Sequence, residues 1–219
     1  MRKIITLITI IFFAFTAFGC EKPNPYLQNV SELRQDIYVC DDENYPVTAY
    51  YGFRENPFVN DGKCGDRIYG YTFIMHVLAD EVQRTVEFDN GNTKLSAQFK
   101  YDEVSGEYKA FIETNTHFEK SFSVNLLCGA TAIPVLLSSA VPSTCLTHEN
   151  ALNILCQNQK TLLDAYSLNG ALNAEIYMRV FVKNDKPYWY VGIASGNDKL
   201  KAFLMDGSSG ELLAIRDIF

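Results

Sequence analysis

The sequence lacks the short motifs that mark common catalytic and nucleotide-binding sites. A nucleophile elbow needs G-x-S-x-G, whereas Gly207 and Gly210 stand one residue too close together. The spacings of a P-loop and of an EF-hand are missing as well. Histidine is scarce, since only His76, His117 and His148 are present and they lie far apart in the chain. The sequence therefore predicts a protein that is not an enzyme, with a hydrolase as the least favoured alternative.

Positive charge is also in short supply. Lys and Arg total 19 against 26 Asp and Glu, which gives a formal charge of −7 at pH 7. No stripe rich in Lys or Arg interrupts this acidic chain, and the phosphate backbone of a nucleic acid would repel it. We therefore predict that nucleic acid is not a partner.

The chain has no apolar run long enough to span a bilayer, but it has a shorter one near its N-terminus. Residues 4 to 18 form an apolar run of 15 residues behind a positively charged start, whereas spanning requires about 20. This layout predicts an export signal over residues 1–19. Ala17-Phe18-Gly19-Cys20 resembles a bacterial lipobox, and the resemblance implies that Cys20 is acylated and anchors an extracytoplasmic lipoprotein to the membrane. An ordinary secretory signal followed by a chance cysteine is the alternative.

Cysteines at redox or metal-binding spacing are missing too. None of the six forms C-x-x-C, and five remain once the lipobox cysteine is assigned to lipid. An exported protein can form disulfides, and Cys40 with Cys64 is the candidate pair, with buried free thiols as the alternative. The nearest approach to a metal site, Cys145-x-x-His148 with Cys156, lacks paired ligands on both sides. No metal or other cofactor is therefore predicted.

What the sequence does have is a period of two over residues 37–141. From Leu95 to Tyr101 apolar and polar side chains alternate, as in a strand with one buried face. Gly129-Ala130 stands at a predicted hairpin turn between two further alternating runs. About seven short strands with turn-rich segments between them predict an antiparallel β-sandwich of immunoglobulin-like type. The preceding residues 20–36, which include two prolines, are predicted as an extended, lipid-anchored tether.

Over residues 142–219 the pattern changes to one helix followed by an antiparallel meander, which predicts an α+β module. Thr147 is predicted to cap the helix, and alternation resumes from residue 174. Asp206 to Gly210 are all favoured turn formers and are predicted to join the last two strands. The series helix, strand, KPYWYVGIASG, strand and DGSSGELLAI resembles the PepSY domain over about residues 144–219. The resemblance implies a non-catalytic module, proposed for that family to bind or restrain peptidases or to regulate neighbouring proteins at the cell surface.

An aromatic surface is the remaining candidate site. Counting the alternation in the C-terminal meander places a set of large side chains on one face: Tyr177, Phe181, Tyr188, Tyr190, Phe203 and Met205. This face either packs against the β-domain or the helix, or binds a peptide or protein partner at the cell surface. The leading hypothesis is therefore a non-catalytic binding or regulatory module. The second is an adhesin or cell-wall glycan-binding lipoprotein that uses Tyr50, Tyr51 and Tyr69 of the sandwich.

Overall fold

The structure is a computed structural model that describes residues 24 to 218, apart from 41, 43–44, 58, 60, 62, 78–79, 81 and 196–198. The predicted signal peptide and the lipidation site Cys20 lie outside these residues, so both stay predictions. None of the helices among the described residues could span a lipid bilayer.

The first part of the chain forms a barrel-like antiparallel sheet. A 3-10 helix, Pro25–Asn29, precedes the strands. The strands are β1 (Val30–Cys40), β2 (Val47–Glu55), β3 (Arg67–Met75), β4 (Arg84–Asp89), β5 (Lys94–Gln98), β6 (Lys100–Asp102), β7 (Glu107–Glu113), β8 (Ser121–Cys128) and β9 (Thr131–Ser139). Around the ring the order is β1, β2, β3, β7 and β6, then β5, β4, β8 and β9, and β9 pairs with β1 again. The predicted antiparallel β structure is confirmed.

The immunoglobulin-like sandwich of two separate sheets is not confirmed. Strands β5 and β6 form one nearly continuous segment, since only Phe99 separates them. Within this segment β5 pairs with β4, and β6 pairs with β7. On the opposite side of the ring, β1 pairs with both β2 and β9. These two segments join all nine strands into one curled sheet.

Aromatic side chains fill the inside of the barrel-like part. Four buried rings touch one another at centroid distances of 4.9 to 6.5 Å: Tyr71, Phe73, Phe88 and Phe122. The hydroxyl of Tyr38 donates a hydrogen bond to the carbonyl oxygen of Phe118, and the backbone N–H of Phe118 donates to the Tyr71 hydroxyl at 3.0 Å. Burial raises the pKa of both hydroxyls. The two tyrosines therefore stay neutral and fasten the segment at residue 118 over the barrel interior.

The second part contains two helices and a meander. The helices are α1 (His148–Asn158) and α2 (Lys160–Ala165), a short strand pair follows as β10 (Ser167–Leu168) and β11 (Ala171–Leu172), and the meander is β12 (Glu175–Lys183), β13 (Lys186–Ser195), β14 (Lys199–Asp206) and β15 (Leu212–Ile218). Thr147 caps α1 as predicted, since its Oγ1 accepts a hydrogen bond from the N–H of Asn150 at 3.3 Å. The helix was predicted as one element, but it is interrupted at Gln159. The antiparallel meander is confirmed.

The helices cover one face of this meander. Leu152 and Leu155 of α1 and Leu163 of α2 pack against a row of strand residues: Ile176, Met178, Val180, Trp189, Val191, Ile193 and Phe203. Trp189 donates from Nε1 to the carbonyl oxygen of Leu146 at 3.0 Å, so its polar atom is satisfied in the core. The opposite face of the meander is not covered by a helix within the described residues.

The turn between β14 and β15 is held by a single carboxylate. Asp206 Oδ1 accepts hydrogen bonds from the backbone N–H groups of Ser209 at 2.8 Å and Ser208 at 2.9 Å, which hold the pKa of Asp206 below its ordinary value. Gly210 follows with a φ of 76°, a backbone conformation that favours glycine. The prediction of a turn at Asp206 to Gly210 is confirmed.

Strand β1 belongs to both parts of the molecule. Its first half pairs in parallel with β12, and its last residues pair with β9. A bulge between Arg34 and Asp36 separates the two halves. Val30 and Leu33 are buried in the core of the helical part. Residues 25 to 36, predicted as part of a tether, are therefore folded, because burial of these apolar side chains offsets the cost of ordering the chain.

Candidate functional site

The face of the meander that the helices leave open carries aromatic side chains. Tyr177, Arg179 and Phe181 alternate along β12 with buried aliphatic residues and so lie on the open side. On β13, Tyr188 lies opposite Phe181 and Tyr190 lies opposite Arg179, and directly opposite residues share a face. Phe181 is 36% exposed, and its ring stacks on Tyr188 with centroids 5.2 Å apart. We call these five residues the outer sheet face.

Phe203 does not belong to this face, and the prediction that it does is wrong. It lies opposite the buried Val191, is 0% exposed and packs in the core beneath the helices. Met205, opposite Trp189, is buried in the same way, whereas Leu204 lies opposite Tyr190 on the open side. A shift of one residue in the count along a strand exchanges its two faces. The pattern within β14 does not show how that strand is registered against β13, so sequence reasoning could not find the shift.

Strand β1 continues the outer sheet face toward the barrel-like part. Glu32 lies beside Tyr177 and Arg34 beside Arg179. Arg179 donates to Glu32 from Nε at 3.0 Å and from Nη2 at 2.5 Å, and Arg34 donates from Nε at 2.7 Å. Burial favours the neutral acid, but the hydrogen bonds and charges of both guanidinium groups outweigh it and lower the pKa of Glu32. The Glu32 carboxylate on β1 therefore links this strand to β12 through Arg179, on the same side of the sheet as Tyr177.

A groove follows this row of charges. Its volume is about 330 Å³, and Gly52 and Gly70, which lie directly opposite each other on β2 and β3, are among its lining residues. A Cβ on Gly52 would overlap the carbonyl oxygen of Leu33, and a Cβ on Gly70 would overlap that of Ile112. Both positions therefore require glycine. We call this the glycine groove; its other lining residues include Arg34, Tyr50, Arg54 and Phe111.

Two arginines lie against aromatic rings in the glycine groove. The guanidinium carbon of Arg34 is 5.4 Å from the centroid of the Tyr50 ring, and that of Arg54 is 4.2 Å from the centroid of the Phe111 ring. Such contacts attract electrostatically and fix the plane of the guanidinium group. The groove and the outer sheet face thus form one surface of aromatic rings and arginines.

Sequence reasoning missed the glycine groove, although a signal was present. Gly52 and Gly70 each interrupt an alternating strand, in YYGFRE and YGYTF. A lone glycine inside such a strand marks a bulge or a close approach of another backbone. The sequence does not say that the two glycines are neighbours.

A second cavity, of about 480 Å³, is lined mainly by acidic and polar groups. Asp36, Glu119 and Glu149 line it together with His148. His117 Nε2 lies 2.8 Å from Asp36 Oδ2, and burial raises the pKa of Asp36 although His117 opposes this. No described serine, threonine or cysteine hydroxyl or thiol is hydrogen-bonded to this pair. Ser139, Ser143 and Cys145 also line this cavity, but the described hydrogen bonds do not pair them with His117.

The sulfur atoms do not assemble into a site. Burial raises the pKa of the Cys145 thiol to about 11 and that of Cys156 above its ordinary value, so both stay protonated at neutral pH. In the part of the chain that is described, no group of three or more His, Cys, Asp or Glu side chains is arranged to hold a metal ion.

The candidate disulfide between Cys40 and Cys64 is not formed. Cys64 Sγ lies 3.2 Å from the carbonyl oxygen of Val30, at the start of β1, whereas Cys40 is the last residue of that strand. At about 3.3 Å per residue the ends of β1 are roughly 30 Å apart, far beyond the reach of a disulfide. Both cysteines are free thiols.

The aromatic residues proposed for glycan binding do not share one surface. Tyr51 is 5% exposed inside the barrel-like part, where it stacks on His117 with centroids 4.6 Å apart. Tyr50 lies in the glycine groove, and Tyr69 is 40% exposed and touches Phe53. The structure therefore does not bring the three tyrosines together.

Two buried acids that the sequence did not single out fasten the loop between β2 and β3. Glu175 Oε1 accepts a hydrogen bond from the N–H of Asp61 at 3.0 Å. Glu55 accepts from the N–H of Gly65 and, at 3.4 Å, from that of Val59. The loop is thereby held beside the end of the outer sheet face.

No protein-family model, curated protein sequence or solved structure matches this chain. The resemblance of residues 144–219 to the PepSY domain therefore stays a prediction.

Proposed function

We propose that this chain is an extracytoplasmic, lipid-anchored protein that binds a peptide or protein partner on its outer sheet face and does not catalyse a reaction. The observation that carries the proposal is the open face of the meander, where Tyr177, Phe181, Tyr188 and Tyr190 stand without a helix over them. Tyrosine, phenylalanine and arginine are the residues that recognition surfaces favour. A surface of this composition next to a groove is suited to a partner that lies along the strands.

The helix-and-meander arrangement of residues 142–219 supports the PepSY-like assignment as part of the same proposal. Modules of that family are thought to act on neighbouring proteins at the cell surface, which agrees with a partner of protein or peptide nature. For the first part of the chain we propose no family, because a curled sheet filled with aromatic rings is common to many functions.

Site-specific photo-crosslinking on intact cells tests the binding face. We expect benzoylphenylalanine at Phe181 to give a discrete crosslinked product, and we expect Tyr190→Asp in the same chain to abolish it. The matched control places the crosslinker at Tyr101, which is 41% exposed on the barrel-like part. The same product from both positions, or a product that Tyr190→Asp leaves unchanged, would contradict a partner at the outer sheet face.

The anchor is tested separately by metabolic labelling with palmitate. We expect the wild-type chain to incorporate label and Cys20→Ser to incorporate none and to leave the membrane fraction. Labelling that persists in Cys20→Ser, or secretion of an unlabelled wild-type chain, would support the ordinary secretory signal instead.

A further inference from the structure

Among the described residues that line the glycine groove, Arg54 is the cation without a carboxylate partner, since Arg34 and Lys109 both form ion pairs. It lies directly opposite Glu32 in the pairing of β1 with β2, yet Glu32 is bonded to Arg34 and Arg179 instead. Among the residues that the structure describes, no carboxylate lies within 4.0 Å of the Arg54 nitrogens, and no acceptor takes a hydrogen bond from them. Its guanidinium group lies against the Phe111 ring.

The architecture holds this guanidinium group in place. Phe111 lies over Gly70, where a Cβ would come within 2.9 Å of the ring atom Cζ. The missing side chain at Gly70 therefore lets the ring lie close to the sheet, and Arg54 lies on top of the ring. A guanidinium group that lies over the face of a ring still has N–H donors that can bond to another group. Because the group is already fixed, less side-chain entropy is lost when it binds.

The charge balance indicates which ligand fits. Arg54 shares this surface with three other cations, Arg34, Arg179 and Lys109, and with three carboxylates, Glu32, Glu55 and Glu107. All three carboxylates are already bonded, and Lys109 is paired with Asp102 and Glu107. Glu32 is held by two arginines, and Glu55 is buried against loop N–H groups. The surplus positive charge lies on Arg54, in a chain of net charge −7. A planar anion that accepts two parallel hydrogen bonds complements this geometry.

We infer that Arg54 binds a carboxylate of the peptide that occupies the outer sheet face, namely an acidic side chain. This inference rests on the proposed function and names the chemistry of its ligand. Gly70 and Phe111 act as positioning residues, because they place the guanidinium group and do not touch the ligand.

Arginine side-chain NMR of the full chain in detergent, labelled with nitrogen-15 arginine, tests the inference. The probe is N-acetyl triglutamate with an amidated C-terminus, and the control peptide is the matching triglutamine amide. We expect a saturable shift of the Arg54 Nε–H signal with the first peptide and none with the second. Arg54→Lys keeps the charge but loses the planar fork, so binding should weaken about tenfold. Arg216→Lys, an exposed arginine of β15 without a recorded ion pair, is the matched control and should leave binding unchanged.

The inference would be overturned if the Arg54 signal shifted without saturating, or if the Arg54 and Arg216 signals responded equally to triglutamate. It would also be overturned if the Arg54 signal saturated with inorganic phosphate but did not respond to triglutamate. If Arg54 responds only to triglutamine with a free C-terminus, it binds the terminal carboxylate of a peptide. That result would contradict binding of an acidic side chain. Phe111→Leu should weaken binding while the melting curve stays cooperative, which separates positioning from folding. If crosslinking at Phe181 captures a partner and triglutamate does not bind, this inference fails and the proposed function stands.

Discussion

The barrel-like part and the meander place their aromatic residues on opposite sides of the sheet. In the barrel-like part the large rings point inward and fill the enclosed space, as Tyr71 and Phe73 do. In the meander the inward side is mainly aliphatic and packs against helices, while Tyr188 and Tyr190 point outward. A closed sheet needs bulky side chains because no other element fills its interior. The meander has no such need on its open face, so its outward rings contribute little to the core, and we propose that they bind a partner.

A charge placed on each side of the meander should have the largest and most unequal effects on stability. Phe203→Asp should lower the free energy of unfolding by about 5 kcal/mol or more, since a large buried ring is lost and an unpaired carboxylate is buried. Tyr190→Asp should cost about 1 kcal/mol or less, because Tyr190 lies on the open side. Urea unfolding of both variants measures the difference. Similar losses in the two variants would show that the open face is packed against part of the chain.

Replacing one aromatic ring by alanine in each part should also cost unequal amounts of stability, with a smaller difference. Phe73→Ala should lower the free energy of unfolding by about 3–5 kcal/mol, because the barrel interior cannot collapse around the space it leaves. Phe181→Ala should cost about 0.5 kcal/mol, because much of that ring faces solvent already. Thermal melting monitored by circular dichroism checks both values. A loss of several kcal/mol in Phe181→Ala would contradict the view that outward rings add little to stability.

The smallest expected difference between the two parts is in how the cost of a substitution depends on pH. The pKa of Glu32 is lower in the folded chain than its ordinary value, so its stabilising effect is present above about pH 4.5 and is lost as the pH falls through the folded pKa. Glu32→Gln should therefore cost about 1–3 kcal/mol at neutral pH and progressively less below pH 4. Denaturant unfolding across this range measures the trend. The cost of Phe73→Ala should stay constant over the same range, and a Glu32→Gln cost that does not shrink in acid would argue against the ion pairs.

Local features of the fold were predictable because they depend on neighbouring residues. Thr147 caps α1 through a bond to a residue three positions away, and Asp206 closes its turn through bonds to the next residues. The alternation in β12 and β13 also placed Tyr177 and Tyr188 on the correct side. It failed at Phe203, because the face on which that residue lies depends on the register of β14 against β13, which the local pattern does not contain.

Contacts between distant segments were not predictable in this way. The pairing of β1 with β12 joins residues near 30 to residues near 176, and nothing in the local pattern of residues 20–36 announces a parallel partner. The same holds for Arg54 and Phe111, which meet only because β2, β3 and β7 are neighbours in the sheet. Gly52 and Gly70 were visible as interruptions, but only the register shows that they face each other.

The strands, the capped helix and the final turn follow from residues a few positions apart, and the acidic charge follows from composition, so all of them can be predicted from the amino-acid sequence. The ring closure, the burial of Phe203, the separation of Cys40 from Cys64 and the groove beside Arg54 are set by the folded chain. These features depend on which strands pair and in which register. That choice is made by the whole core, whose burial outweighs the preference of any single segment.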